Sequence, residues 1–368
     1  MDIASRLRRF VRWQRISRSF APHQRSLSAG YELFSDDRSG HGCDLVDQLP
    51  SCDLINLHWI ARFVDYQSFF ALVPDPMPVV WTLHDMNPFT GGCHYDQGCG
   101  RFTAGCGACP QLDSTSPTDL SAQIWQRKRK LFKQFAPGRL QIVAPSNWLA
   151  AEASRSPLFS KFSVSAIANG LDTEAFAPRD PGVAREIFGL PKGVPTVLFV
   201  ADNKDVGRKG FSLLAKALNK IKDFNRLQLV SLGKGDTDES IPVPHLNLGQ
   251  IDNDRLLSFV YSAADIFVLP SLQDNLPNTV LEALACGTPV AGFEVGGLPE
   301  MIRSGVTGLL APPKDEEALA GAIVDLLENN EKRAEMSANC RRIAMEEYSL
   351  EIQTKKYIEL YESLIGEG

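Results

Sequence analysis

Short apolar runs alternate with longer amphipathic ones along most of this chain, and that alternation restricts it to few folds. "DLINLHW" (53–59), "VVWTLHD" (79–85), "QIVAPS" (141–146) and "FSVSAIANG" (162–170) read as buried strands. Between them, "DLSAQIWQRKRKLFKQF" (119–135) has helical spacing with a basic face. The alternation resumes with strands "TVLFVAD" (196–202), "LQLVSLGKG" (227–235), "DIFVLPS" (265–271) and "PVAGFEV" (289–295). Helical patterns at 211–221, 254–264 and 279–287 separate these strands, and 315–367 is helical almost throughout. Strands joined through helices pair in parallel, with the helices covering the sheet. "FAPRDPGVAREIFGLPKGVP" (176–195), with four prolines, interrupts the series. We therefore expect two α/β domains, 1–178 and 179–345, followed by a C-terminal helix over 346–368. Ligands of such sheets sit beyond the carboxyl ends of the strands, in a cleft.

The bulk numbers exclude several classes. The 368 residues carry 38 basic and 44 acidic side chains, a net charge of −6 that gives no general pull toward nucleic acid. No run of apolar residues is long enough to cross a membrane, and no signal-peptide core opens the chain. A cytoplasmic location is the expectation. One segment runs against the acidic total. "MDIASRLRRFVRWQRISRSF" sets Arg6, Arg8, Arg9, Arg12, Arg15 and Arg18 among Phe10, Val11, Trp13 and Ile16, against Asp2 alone. That pattern suits either a solvated helix or a peripheral contact with an anionic membrane face.

The densest chemical signal is "PSLQDNLPNTVLEALACGTPV", from Pro270 to Val290. A strand ends, a polar loop follows, and a helix begins. Asp274 lies in the loop, and Glu282 inside the helix. Two carboxylates so placed can each accept hydrogen bonds from hydroxyl groups, and the helix N-terminus between them favours phosphate. A nucleotide sugar has that layout, with hydroxyls at both ends and phosphates between. An N-cap acid followed by a surface glutamate would give the same spacing.

This segment, with "AGFEVGGLPEMIRSGVTGLLAPP" after it, resembles the donor-binding half of the retaining glycosyltransferases of group 1 (family 4). Their signature is two acids separated by seven residues. Asp274 and Glu282 keep that spacing, with Asp where the first Glu is usual. The Asp-Asn form is similar to a subgroup that builds bacterial surface polysaccharides. The resemblance implies GT-B architecture, with two Rossmann-like domains, the donor held by the second and the acceptor by the first. It implies retention of configuration, no divalent metal in catalysis, and a C-terminal helix that crosses back to the first domain. By the same resemblance Asp274 and His84 of "WTLHDMNPFTGGCHY" would contact the donor sugar, and Glu282 the ribose. Asn275 and Leu276 would offer backbone N–H groups, and Arg208 and Lys209 of "VGRKGF" would hold the diphosphate. Gly296 and Gly297 would allow close approach of the ligand, with Glu300 a further candidate. Asn169, Gly170 and Asp172 would shape the rim. The usual Gly-Arg before the basic pair reads "ADN" (201–203). The first clear strand comes only at Asp53, so the family's opening strand–loop–helix unit is expected to be absent.

The implied partners are a nucleotide-diphosphate sugar and a glycan or lipid-linked acceptor. The competing readings are a non-catalytic scaffold that keeps donor binding, and a nucleotide-sugar epimerase. A separate feature is "GGCHYDQGCGRFTAGCGACP" (91–110), which packs Cys93, Cys99, Cys106 and Cys109 into 17 residues. The closing Cys-x-x-Cys is half of a common tetrahedral thiolate site, and His94 could replace one ligand. A structural zinc, two disulfides and four unligated thiols are all compatible with the spacing. In each case the loop reads as a clasp following the His84 strand, not as the centre of the chemistry.

Overall fold

In the computed structural model the described residues are 3–23, 33–41, 43–75, 77–221, 226–235 and 240–366. The side chains of Arg6, Arg8 and Arg9, and Asp2 as a whole, lie outside the described residues. The chain divides into two compact units, Met1–Ile167 with Ile358–Gly368, and Ala168–Tyr357.

The first unit carries β1 (Ile55–Leu57), β2 (Val79–Thr82), β3 (Leu140–Ala144) and β4 (Ser163–Ala166), and α1 (Ile3–Phe20), α2 (Tyr66–Phe70), α3 (Leu120–Phe132) and α4 (Asn147–Arg155). Its sheet runs β1-β2-β3-β4, every pair parallel. Helix starts follow capping chemistry: the Asp119 carboxylate accepts from the Ala122 N–H, and the Ser146 hydroxyl from that of Leu149. An aromatic core fills the space between sheet and helices, with Trp81 against Tyr66, Phe70, Phe132 and Phe159. β4 departs from the expected buried strand, since Ser163 and Ala166 are exposed. It is the edge of the sheet and has a neighbour on one side only.

The second unit carries β5 (Thr196–Asn203), β6 (Gln228–Lys234), β7 (His245–Asn247), β8 (Ile266–Leu269), β9 (Val290–Phe293) and β10 (Gly308–Ala311). Its helices are α5 (Pro181–Ile187), α6 (Phe211–Lys220), α7 (Asp254–Ala263), α8 (Asn278–Ala285), α9 (Leu298–Met301), α10 (Glu316–Glu328) and α11 (Asn330–Glu347), with α12 (Leu350–Ile365) ending the chain. The sheet order is β10-β9-β8-β5-β6-β7, all parallel. This is a doubly wound sheet whose strand order reverses between β5 and β8, the place where such folds hold ligands.

The proline-rich break expected to end the first domain at 178 lies inside the second unit instead. Phe176 and Leu190 are buried in that unit's core, and Arg179 donates to the Ser258 hydroxyl at 2.8 Å. The chain returns to the first unit at 358 and not at 346. Cys340, Ile343, Ala344 and Tyr348 all pack into the second core, which keeps α11 there. Beyond that point the Tyr361 hydroxyl accepts from the Asn56 side chain of β1 at 2.6 Å.

Candidate functional site

The two loops that follow β5 and β8 flank the point of strand reversal, and they are stitched together. Gly207–Lys209 forms a single turn, and the Arg208 carbonyl accepts from the Leu272 N–H at 2.8 Å. Gly210 sits at φ +71°, and a Cβ there would stand 1.9 Å from the Pro270 carbonyl oxygen. Only glycine permits that approach. The contact brings Arg208 and Lys209 to Asp274. Lys209 Nζ donates to Asp274 Oδ2 at 2.8 Å, the Ser271 hydroxyl donates to the same oxygen at 3.1 Å, and Arg208 Nη1 lies 3.4 Å from it. Arg208 also donates to the Gln273 carbonyl at 2.7 Å. Asp274 is buried, which alone would raise its pKa. The adjacent Lys209 and Arg208 outweigh that and hold it below the usual carboxylate value.

Gly297 closes the other side, its N–H donating to the Asp274 carbonyl at 3.1 Å. The glycine demanded by sterics is its neighbour. Gly296 has φ +57°, and a Cβ there would lie 1.9 Å from the Asp274 carbonyl oxygen. Asn275 and Leu276 are buried, the latter with its side chain in the core.

Glu282 lies in α8 and its pKa is raised, first by burial, although the Tyr261 hydroxyl donates to Oε2 at 2.7 Å. Tyr261 was not identified from the sequence, because it lies on α7 and meets Glu282 only in the fold. Lys204, in the turn directly after β5, is also buried, and its charge acts on His245 of β7. Asn169 donates to Asn278 at 3.2 Å, and the Asp172 carboxylate caps the turn at Glu174 and Ala175. Gly170 packs against Leu350, and the Glu300 carbonyl accepts from the Tyr348 hydroxyl at 3.2 Å. These four serve turns and packing.

His84 belongs to the first unit, just past the end of β2. Its ring is exposed, and Nε2 lies 3.0 Å from Nδ1 of His58, which follows β1. Partial desolvation lowers the pKa of both. At His84 the neighbouring His58 adds to the effect, and Asp85 opposes it. His58 is the residue that sequence reading should have caught, since it occupies the same strand-end position as His84. Asp85 faces inward and accepts from Trp59 Nε1 at 2.9 Å and from the Asn87 N–H at 2.8 Å. His94 lies 2.6 Å from Asp85 and 2.8 Å from the Ser35 hydroxyl. Ser35, His94 and Asp85 have the connectivity of a nucleophile–base–acid relay, but all three are buried and Ser35 also accepts from Arg62 at 3.2 Å. They fix a loop; they offer no accessible nucleophile.

The cysteine loop packs against Phe34, with Phe34 and Cys93 forming an antiparallel bridge. Burial holds the Cys93 thiol well above its usual range, pushes Cys106 up to about 12 and raises Cys109. Burial thus disfavours these three thiols as nucleophiles. Among the described residues, no three His, Cys, Asp or Glu side chains are grouped to hold a metal ion. No disulfide joins the described cysteines.

The chain is similar to known proteins along both units. Residues 194–329 match the family "Glycosyl transferases group 1". This match spans β5 to β10, with both stitched loops and the Asp274–Glu282 pair. A protein named as a colanic acid biosynthesis glycosyl transferase, WcaC of Escherichia coli, is 30% identical over 253 residues, 68% of this chain and 59% of that protein. Phosphatidyl-myo-inositol mannosyltransferase of Mycobacterium tuberculosis is 32% identical over 214 residues, 55% of this chain and 54% of that protein. The chain thus spans little more than half the length of these curated relatives. Among solved structures, sucrose-phosphate synthase from Thermosynechococcus elongatus superposes with a TM-score of 0.67 at 23% identity, over 86% of this chain and 74% of that one. Anabaena HepE in complex with UDP gives 0.61 at 20% identity, over 87% and 81%. The fold is GT-B, with an α/β unit built on a parallel sheet on each side of the chain's division.

Proposed function

We propose that the chain transfers a hexose from a nucleotide-diphosphate sugar to a glycan or lipid-linked acceptor, with retention, in building a cell-envelope polysaccharide. The observation that carries this reading is the Asp274 carboxylate at the strand reversal, gripped by Lys209 and flanked by Arg208. Arg208 and Lys209 are the groups to take the diphosphate as charge builds on it, which is where fixed cations accelerate transfer most. Asp274 and His84 are then assigned to the donor sugar, Glu282 to the ribose, and the backbone of Asn275 and Leu276 to the sugar–phosphate junction. The bond from the anomeric carbon to the diphosphate breaks with its electron pair leaving on oxygen. The acceptor hydroxyl attacks from the same face and passes its proton to the departing oxygen. No divalent ion is assigned to this step. HepE was crystallised with UDP and UDP-glucose, which supports a nucleotide sugar as the donor.

The basic N-terminal helix supports a peripheral place at a membrane face. Along α1, Leu7 is 61% exposed, Phe10 53% and Trp13 58%, with Val11 beside them and Arg15 and Arg18 exposed nearby. Arg12 turns inward to pair with Asp65. Among the described residues no helix is long and apolar enough to cross a membrane.

Calorimetric titration with UDP-, GDP- and dTDP-sugars, followed by donor turnover with no added Mg²⁺ or Mn²⁺, tests the proposal. Lys209→Ala should weaken binding about 10- to 100-fold. Asp274→Asn should keep binding and lower turnover about 100-fold. Binding without turnover in wild type would leave only the donor-binding scaffold. Absence of binding across the panel would remove the reading altogether.

A further inference from the structure

Cys93, Cys99, Cys106 and Cys109 share one small cavity of about 20 Å³, walled also by Phe34, Phe102 and the charged Asp96 and Arg101. That volume holds one water-sized occupant and nothing larger. Besides the Phe34–Cys93 bridge, the loop around it contains only single-turn helices, Arg101–Thr103 and Pro110–Leu112, and local hydrogen bonds such as that from the Ala108 N–H to the Ser116 carbonyl at 2.7 Å. Gln97 at φ +52° and Ala108 at φ +44° occupy conformations that side chains adopt only where the surroundings hold them. A Cβ on Gly91 would meet Cys106 Cβ at 2.6 Å, and one on Gly107 the Pro117 carbonyl at 2.5 Å. The backbone is therefore packed closely against Cys106 and at Pro117, and Arg101 donates to the Gly107 carbonyl at 2.7 Å.

We infer that these four cysteines close on a single zinc ion as a structural tetrathiolate site. Such a site binds soft, tetrahedral d¹⁰ metal through sulfur and needs no water ligand. The four cysteines line one cavity but no three of them are grouped to hold an ion in this structure, so binding requires the sulfurs to close on the metal. The ion does no chemistry on substrate. It closes the loop that carries His94, and His94 contacts Asp85 beside His84. The site is independent of the donor reading, since it lies wholly in the first unit.

The test uses the full chain, expressed in zinc-supplemented medium without a polyhistidine tag and dialysed against metal-free buffer. Elemental analysis should find about one zinc per chain, because structural sites of this kind bind tightly. Replacement by Co²⁺ should give the near-ultraviolet thiolate charge-transfer band and the visible bands of tetrahedral cobalt. Cys106→Ser/Cys109→Ser should lose the zinc and both band sets. Should that variant fail to fold, the wild-type protein still decides: chelation should release the ion and expose four thiols to alkylation that were protected before. Zinc below about 0.2 per chain overturns the inference, whether mass spectrometry then shows two disulfides or four free thiols. Bound zinc that persists undiminished in the folded double variant overturns it equally.

Discussion

Gly296, like Gly210, is a residue at which the second-unit site tolerates no side chain. Its left-handed backbone and the 1.9 Å approach to the Asp274 carbonyl combine two penalties in one position. Gly296→Ala should lower stability by about 2 kcal/mol or more, read as a fall in the urea midpoint, and should weaken nucleotide-sugar binding with it. A variant that unfolds at the wild-type midpoint would show that this contact does not hold the loop. The acids, the basic pair and the glycine doublet were all visible in the sequence, because short-range spacing along a loop and a helix is preserved in the chain itself. Tyr261, Lys204 and His58 were not identified. Tyr261 precedes Glu282 by 21 positions and meets it only when α7 packs beside α8; the His58–His84 contact needs β1 and β2 to pair in the register that sets Leu57 beside Trp81. Neither contact has a periodicity to betray it, although the position of His58 at a strand end was itself visible in the chain.

At the scale of elements, two neighbouring strand ends carry a titrating pair in the first unit. His58 and His84 follow β1 and β2, and the folded pKa of each lies below the ordinary histidine value of about 6.5. The unfolded chain therefore takes up these protons first. Stability should be unaffected by the pair above about pH 7 and should fall as pH drops through about 6.5. The double variant His58→Gln/His84→Gln should show a shallower loss of melting temperature between about pH 7 and 5.5. Equal slopes would exclude this pair as the cause. The eight expected strands were found within a few residues of their predicted limits, since a buried parallel strand is a continuous apolar run; β4, exposed at the sheet edge, is the exception. β7 and β10 were not predicted. β7 has three residues in the pattern exposed–partial–exposed, and β10 is short and contains two half-buried leucines. Both stand at edges of the sheet, where the apolar signal fades.

For the molecule as a whole, the uneven charge makes the sharpest forecast. A chain of net charge −6 carries exposed arginines beside Leu7, Phe10 and Trp13 on a single helix. Flotation with vesicles containing anionic phospholipid should recover the protein, and added salt should release most of it. Vesicles of zwitterionic lipid should recover far less, and Leu7→Ser/Phe10→Ser/Trp13→Ser should abolish recovery. Binding indifferent to lipid charge or to these three residues would rule out α1 as the contact. The division of the chain was only roughly legible, because proline content marks a break in regular structure and not the unit against which the broken stretch packs. The pairing of Lys209 with Asp274 also bears on what the protein can accept. A bare anion would have to draw the lysine away and leave a buried carboxylate short of its cation. A neutral sugar would have to share that carboxylate with the lysine and bring no charge to compensate it. On the proposed function, a molecule presenting phosphate and hydroxyl together would compensate both partners at once, so inorganic phosphate or a free sugar alone should bind more weakly than a nucleotide sugar.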